Sequence, residues 1–86
     1  MPERLKKHAM RVVGARQVLR AIEAQRAEEV FLAMDADKAL RFQIENAAKE
    51  KGTPLHMVSS MEEIARLCRV DVPSAAACVL RNNQAQ

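Results

Sequence analysis

The residues best suited to chemistry surround one glycine near the start of the chain: Gly14, Ala15, Arg16, Gln17 and Arg20. A helix that begins after the glycine places the two arginines one turn apart on one face, with the glutamine beside them. The first amides of a helix carry a partial positive charge, and glycine lets another backbone approach closely. Guanidinium groups pair with phosphates and guanine edges, and amide side chains pair with base edges. The group therefore suits nucleic acid, although an ordinary exposed helix face can have the same composition.

Other polar residues have simpler structural explanations than catalysis or metal binding. Asp35 and Asp37 stand where a helix is predicted to begin, so helix capping accounts for both carboxylates. His8 and His56 have no cysteine or histidine partner at ligand spacing, which argues against zinc. Gly14 lacks the further glycines of a dinucleotide-binding loop. We therefore expect no catalytic residue, no metal site and no cofactor.

The two cysteines and the overall hydropathy indicate a cytoplasmic protein. Cys68 and Cys78 lie in apolar runs without a Cys-x-x-Cys spacing, so they are predicted to be buried free thiols. No stretch approaches the roughly 18 consecutive apolar residues of a membrane span, and the N-terminus has no apolar signal core.

Length and composition fit one globular domain. The 86 residues are 49% hydrophobic and 29% charged, which leaves no room for two independent cores and disfavours disorder along the whole chain. Only Phe31 and Phe42 are aromatic, so modules that stack bases on an aromatic sheet face are disfavoured. The net charge of +3 is concentrated in residues 1–26, which carry +5. Such a basic end permits nucleic-acid contact but more often marks a solvated surface.

Hydrophobic periodicity divides the chain into alternating helices and strands. The predicted elements are a helix over 3–10, a strand over 11–14, a helix over 15–24, a central strand over 29–34, a helix over 38–50, a strand over 55–58, a helix that begins within 59–63 and runs through Cys68, a loop over 69–74 and a strand over 75–80. Asp35 or Asp37 is predicted to cap the 38–50 helix, and Ser60 the next one.

This alternation predicts an α/β fold, a three-layer α/β/α sandwich around a largely parallel or mixed four-stranded sheet. The whole chain, 1–86, is expected to be one domain, with an ordered core over 2–80 and a frayed polar tail over 81–86. One loop stands out because it carries Val70, Asp71, Val72 and Pro73 just before a buried strand. Its valines either tuck into the core or remain exposed for a partner.

Three segments together resemble the kink-turn RNA-binding family of ribosomal protein L-seven-Ae, particularly its small bacterial ribosomal-protein-like members. They are 12–21, 30–37 and 68–76, and the resemblance covers almost the whole domain. It implies that the helix led by Gly14 enters the widened groove of a kink-turn, where Arg16 and Gln17 contact guanines of sheared G·A pairs and Arg20 reinforces them. It also implies that residues 70–73 pack against the nucleotides bulged out at the kink.

The chain departs from the family pattern at several positions. Archaeal members usually have Asn-Glu where Arg16 and Gln17 stand, and bacterial relatives tend toward Lys-Gln, so the bacterial type of contact is expected. Gln25 and Arg69 stand where the family commonly has glycine. Because non-glycine residues are strained at positive φ, each position is expected either to use another cap or to shift its loop.

The resemblance predicts a monomeric, non-enzymatic protein that recognises and stabilises kink-turn RNA, in or beside the ribosome or on a structured regulatory RNA. Neither a small-molecule substrate nor a membrane is expected as a partner. The alternative is a protein-interaction module of the same fold that docks on a ribonucleoprotein assembly through residues 70–73 and the neighbouring helices. An enzymatic function would require an acid and base pair that the sequence does not display.

Overall fold

The computed structural model describes residues 10–81 of the chain. Of the predicted helix over 3–10 only Met10 is described, and residues 82–86 of the predicted tail also lie outside the described part. The elements along the chain are β1 (Arg11–Val13), α1 (Ala15–Glu23), β2 (Ala27–Ala33), α2 (Lys38–Lys51), β3 (Leu55–Val58), α3 (Met61–Cys68) and β4 (Ala76–Leu80).

The four strands form one mixed sheet in the order β1-β4-β2-β3. β4 is antiparallel to both β1 and β2, and β2 is parallel to β3. Consequently β1, β2 and β3 all point the same way, and β4 alone runs against them. Each of the three parallel-pointing strands is followed by a helix, so α1, α2 and α3 all begin at one edge of the sheet, which we call the helix-start edge.

The helices lie on both faces of the sheet, which confirms the predicted α/β fold with three layers and a mixed sheet. On one face α1 and α2 pack on Val30 and Leu32 of β2, together with Cys78 of β4. On the opposite face α3 packs on Phe31 and Ala33. Alternate residues of β2 therefore face opposite layers, as expected for a strand buried on both sides.

β2 is the central strand that the sequence indicated, but its predicted bounds, 29–34, are wrong at both ends. The strand starts two residues earlier, because buried Ala27 pairs with Leu80, and a register shift between Ala27 and Glu29 accommodates the adjacent glutamates. The glutamates at this register shift interrupt the apolar pattern, so the sequence did not indicate where the strand starts. The predicted helices over 15–24 and 38–50 and the strand over 75–80 each differ from the structure by one residue at one end.

All three helices end in a left-handed turn, although only one of those turns contains glycine. The turn residues are Gln25 with φ 59°, Gly52 with φ 68° and Arg69 with φ 60°. In each case the amide of the next residue donates to the carbonyl five residues earlier, at 2.8 to 3.0 Å, which is the Schellman arrangement. The expectation that Gln25 and Arg69 would use another cap or shift the loop is therefore wrong.

The two cysteines are buried and unpaired, as predicted. They belong to the core layers on opposite faces of the sheet, Cys78 beneath α1 and α2 and Cys68 on α3. Burial raises the pKa of Cys78 to about 11. Burial also raises the pKa of Cys68, although the nearby Arg11 guanidinium opposes the effect. Both thiols behave as small apolar core groups.

Candidate nucleic-acid interface

The start of α1 is shaped by Gly14, which has φ 113° and ψ 137°. Side chains other than glycine rarely adopt such a backbone conformation. The Gly14 amide donates to the carbonyl of Ala76 at 2.9 Å, and its own carbonyl accepts the first helical hydrogen bond, from Val18, at 2.9 Å. Apart from Gly14 and its two chain neighbours, no heavy atom of residues 10–81 lies within 4 Å of the point where a Cβ would stand. The backbone is thus fixed to β4 from behind and open to solvent in front.

Two of the three helices that begin at the helix-start edge have side-chain caps. Asp37 accepts a hydrogen bond from the third amide of α2 at 3.3 Å, and Ser60 accepts one from the third amide of α3 at 3.1 Å. Asp35 accepts from the first amide of α3 at 2.8 Å. The predicted capping roles of Asp37 and Ser60 are confirmed, whereas Asp35 caps α3 and not α2.

The third helix, α1, begins with amides that have no side-chain acceptor among residues 10–81. Its N-cap is Gly14, so no side chain caps it, and its first turn has no acidic residue. The unsatisfied amides and the helix dipole make such a terminus attractive to anions. Gly14 together with the amides of residues 15–17 is called the α1 tip below. Among the described helix starts, the α1 tip is the one left without a side-chain acceptor.

The face of α1 that continues from its tip is polar and exposed. Val18 and Ile22 are fully buried, and Arg16, Gln17 and Arg20 face solvent, as predicted. Within residues 10–81 neither arginine side chain of this face has a hydrogen bond or an ion pair. Their guanidinium donors are therefore available to an external partner.

The loop over residues 70–73, called the apolar loop below, is exposed at every position. Val70 is 36% and Val72 is 65% accessible, so the interpretation in which the valines tuck into the core is wrong. The apolar loop is nevertheless held at both ends. The left-handed turn at Arg69 precedes it, and after it the Ser74 amide donates to the carbonyl of Met61 at 3.4 Å.

The α1 tip and the apolar loop approach the helix-start edge from opposite faces of the sheet. The apolar loop leads through Ala75, whose carbonyl accepts from Ala33, into Ala76, which is the acceptor for Gly14. The structure thus brings Gly14 next to the strand end that the loop enters. Arg20 lies further along α1, beside β1, where it lines a groove with Gln17.

A residue that sequence reasoning missed connects the two features. Arg11, in β1, donates from Nη2 to the carbonyl of Cys68 at 3.0 Å, and Cys68 is the last residue of α3. The strand that leads into the α1 tip therefore also anchors the start of the apolar loop. No sequence signal marks this role, since an arginine at the start of a short strand is ordinary.

The comparison with known proteins identifies the fold and its family. Residues 2–86 match the model of the Ribosomal protein L7Ae/L30e/S12e/Gadd45 family. The chain belongs to this family. L7Ae-family membership confirms the resemblance noted from the sequence, and because the family is non-enzymatic it also agrees with the expectation that the protein is not an enzyme.

Two relatives and one solved structure that are similar to this chain support the assignment. An RNA-binding protein of Geobacillus sp. (strain WCH70) is 37% identical over 70 residues, which cover 81% of this chain and 85% of the relative. The RNA-binding protein YbxF of Geobacillus stearothermophilus is 36% identical over 70 residues, with the same coverage. The structure of the Giardia lamblia 15.5 kD RNA-binding protein superposes with a TM-score of 0.78 at 25% identity, covering 95% of this chain and 69% of the other.

Neither a metal-binding cluster nor a membrane-spanning helix occurs in the described part of the chain. Residues 10–81 contain no group of three or more His, Cys, Asp or Glu residues placed to hold a metal ion. Among the described helices, none combines the length and the apolar character needed to cross a membrane.

Proposed function

We propose that this L7Ae-family protein binds RNA as a cytoplasmic monomer and specifically recognises and stabilises kink-turns, in or beside the ribosome or on a structured regulatory RNA. Family membership and relatives named as RNA-binding proteins support RNA binding. The single observation that carries the proposal is the uncapped α1 tip, because its neighbours α2 and α3 start at the same edge with side-chain caps.

The α1 tip and the exposed face behind it supply the polar contacts of the proposed mechanism. Open space in front of Gly14 lets an RNA backbone come close to the amides of residues 15–17. The guanidinium groups of Arg16 and Arg20, which have no partner within residues 10–81, can bind phosphates and guanine edges, and Gln17 can both donate to and accept from a base edge. Through these contacts the protein recognises the RNA groove in which the sheared G·A pairs expose their guanine edges.

The apolar loop supplies the second half of the mechanism. Val70 and Val72 expose apolar surface within a loop that is fixed at both ends. Nucleotides bulged out at a kink expose base faces that apolar side chains can cover. In the proposed complex, an RNA that contacts both the α1 tip and the apolar loop bends sharply between the two.

Stabilisation of the bend follows from differential affinity. A free kink-turn exchanges with an extended form, and a protein that fits the bent form shifts the population by the difference in its two binding free energies. Moving the ratio of bent to extended RNA from about 1:99 to about 99:1 requires a difference of about 5.5 kcal/mol. No cofactor takes part.

The decisive experiment compares two RNAs that differ only at the sheared pairs. The protein is titrated into a kink-turn and into a variant in which Watson–Crick pairs replace the G·A pairs, with fluorescence energy transfer across the bend as the readout. We expect tighter binding and a larger transfer change for the intact RNA, because each paired base contact contributes about 1–3 kcal/mol of discrimination.

Equal affinity for both RNAs would contradict kink-turn recognition. Partners that stay associated after nuclease treatment would instead favour the protein-interaction module that docks through the apolar loop.

A further inference from the structure

Helix α1 separates two grooves of opposite character. The groove on its β1 side has a volume of about 330 Å³, and Val12 and Leu80 contribute apolar surface to it. Its polar lining consists of Gln17, Arg20 and Arg26. We call it the basic groove, because both charged residues in its described lining, Arg20 and Arg26, are cationic. It begins at Gln17, next to the α1 tip, and reaches Arg26 beyond the end of the helix.

The groove on the α2 side carries the opposite charge. It is lined by Glu23 and Glu50, with the polar Gln43 and Asn46 between them. Next to the α1 tip the α2 side is lined by Arg16, and the two glutamates lie further along α1. A polyanion that continues along the helix is therefore repelled on the α2 side and attracted by the arginines on the β1 side. The distribution of charge about α1 therefore selects one direction for an RNA strand.

Hydrogen bonds fix the backbone of Arg26, whereas its side chain has no partner among the described residues. Its amide donates to the carbonyl of Ala21 at 2.8 Å, and its carbonyl accepts from the amide of Arg81 at 2.7 Å. The Arg81 Nε donates to the neighbouring carbonyl of Gln25 at 2.8 Å. The Arg26 side chain is exposed and takes part in no hydrogen bond or ion pair with the rest of residues 10–81. A fixed backbone reduces the entropy lost when the guanidinium engages a ligand.

We infer that the basic groove binds the phosphate backbone of a duplex arm flanking the kink, and that Arg26 is a positioning contact to that arm. The inference rests on the proposed function. Gln17 and Ala24 are separated by roughly 10 Å along the helix axis, so Arg26 lies beyond the nucleotides that touch the α1 tip. It contacts phosphate and not bases, because a single charged group at this distance adds affinity without reading sequence.

The test uses three proteins and two RNAs. The proteins are the native chain, Arg26→Gln and the matched control Lys49→Gln, which removes the same charge from the exposed side of α2. One RNA has long duplex arms on both sides of the kink, and the other has arms trimmed to the kink-turn core. Binding is titrated at several salt concentrations, and circular-dichroism melting verifies that each variant folds.

On the long RNA we expect Arg26→Gln to bind more weakly and with a salt slope smaller by about 0.9, the value for one phosphate contact on a duplex. The ratio of native to variant affinity then falls about 3.5-fold between about 50 and about 200 mM salt. On the trimmed RNA the native chain and Arg26→Gln bind alike. Lys49→Gln behaves as the native chain on both RNAs, and Arg26→Lys keeps the native slope.

Two results would overturn the inference. One is an Arg26→Gln protein that matches Lys49→Gln on the long RNA, and the other is an equal loss for Arg26→Gln on both RNAs. Failure of the proposed function gives a different pattern, in which the native chain itself does not distinguish an intact from a G·A-disrupted kink-turn.

Discussion

Replacing Gln25 by glycine is expected to stabilise the protein, because this residue occupies a left-handed turn with φ 59°. The left-handed conformation costs a non-glycine residue roughly 1–2 kcal/mol. Glycine gains about 0.4–1 kcal/mol of extra freedom in the unfolded chain, which offsets part of that gain. With central values of about 1.5 kcal/mol for the cost and about 0.7 kcal/mol for the offset, the net increase in the free energy of unfolding is about 0.8 kcal/mol, or roughly 3–6 °C in Tm for a domain of this size.

Urea denaturation followed by far-ultraviolet circular dichroism measures the change, since the chain has no tryptophan or tyrosine to report by fluorescence. Gln25→Ala is the control: it removes the exposed side chain but keeps the Cβ, so its stability should match that of the native protein. Gly52→Ala introduces a Cβ into the left-handed turn after α2 and should lower the free energy of unfolding by about 1 kcal/mol. If Gln25→Gly proves no more stable than Gln25→Ala, the left-handed turn is not the source of strain and the reasoning is refuted.

Three further predictions address the interface, a cap and a thiol. Gln17→Ala should reduce discrimination between intact and G·A-disrupted kink-turns by about 1–3 kcal/mol. Arg20→Ala should instead weaken binding to both RNAs and lower the salt slope by about one. Identical effects of the two substitutions in binding titrations would contradict these roles. Asp35→Ala should lower the free energy of unfolding by about 1 kcal/mol in urea titrations, because α3 loses the acceptor for its first amide, and an unchanged value would exclude that cap. Burial raises the pKa of the Cys78 thiol from 9.0 to about 11 in the folded chain. The unfolded thiol therefore ionises first, so the contribution of Cys78 to the free energy of unfolding is complete below pH 9 and is lost as the pH rises to about 11. Cys78→Ala should therefore show a shallower alkaline decline in stability than the native chain, and parallel declines would argue against the shift.

Much of the fold was predictable because local pattern and tertiary burial agree. Helical spacing put Val18 and Ile22 on the inner face of α1, and both are fully buried. The apolar run around Phe31 indicated a strand covered on both faces, which is the place of β2 in the sheet. Ser60 followed by Glu63 marked the start of α3, where the hydroxyl accepts from the Glu63 amide.

The features that sequence reasoning missed depend on partners distant in the chain. Asp35 caps a helix that begins 26 residues later, so no local pattern contains both groups. The contact from Arg11 to Cys68 spans 57 residues. Arg26 gained a role only when folding placed it in one groove with Gln17. The left-handed turn at Gln25 escaped prediction because the hydrogen bonds that reverse the chain outweigh the local preference for glycine.

The hydrogen bond from Gly14 to Ala76 determines when, during synthesis of the chain, the α1 tip can take its final position. It joins an early residue to the last strand of the sheet, and β1 pairs with that strand alone among the described strands. Such non-local pairing must wait for both partners. During translation the α1 tip therefore has no backing until β4 has left the ribosomal exit tunnel. In the proposed mechanism, RNA binding through the α1 tip therefore begins only after the chain has been synthesised through β4.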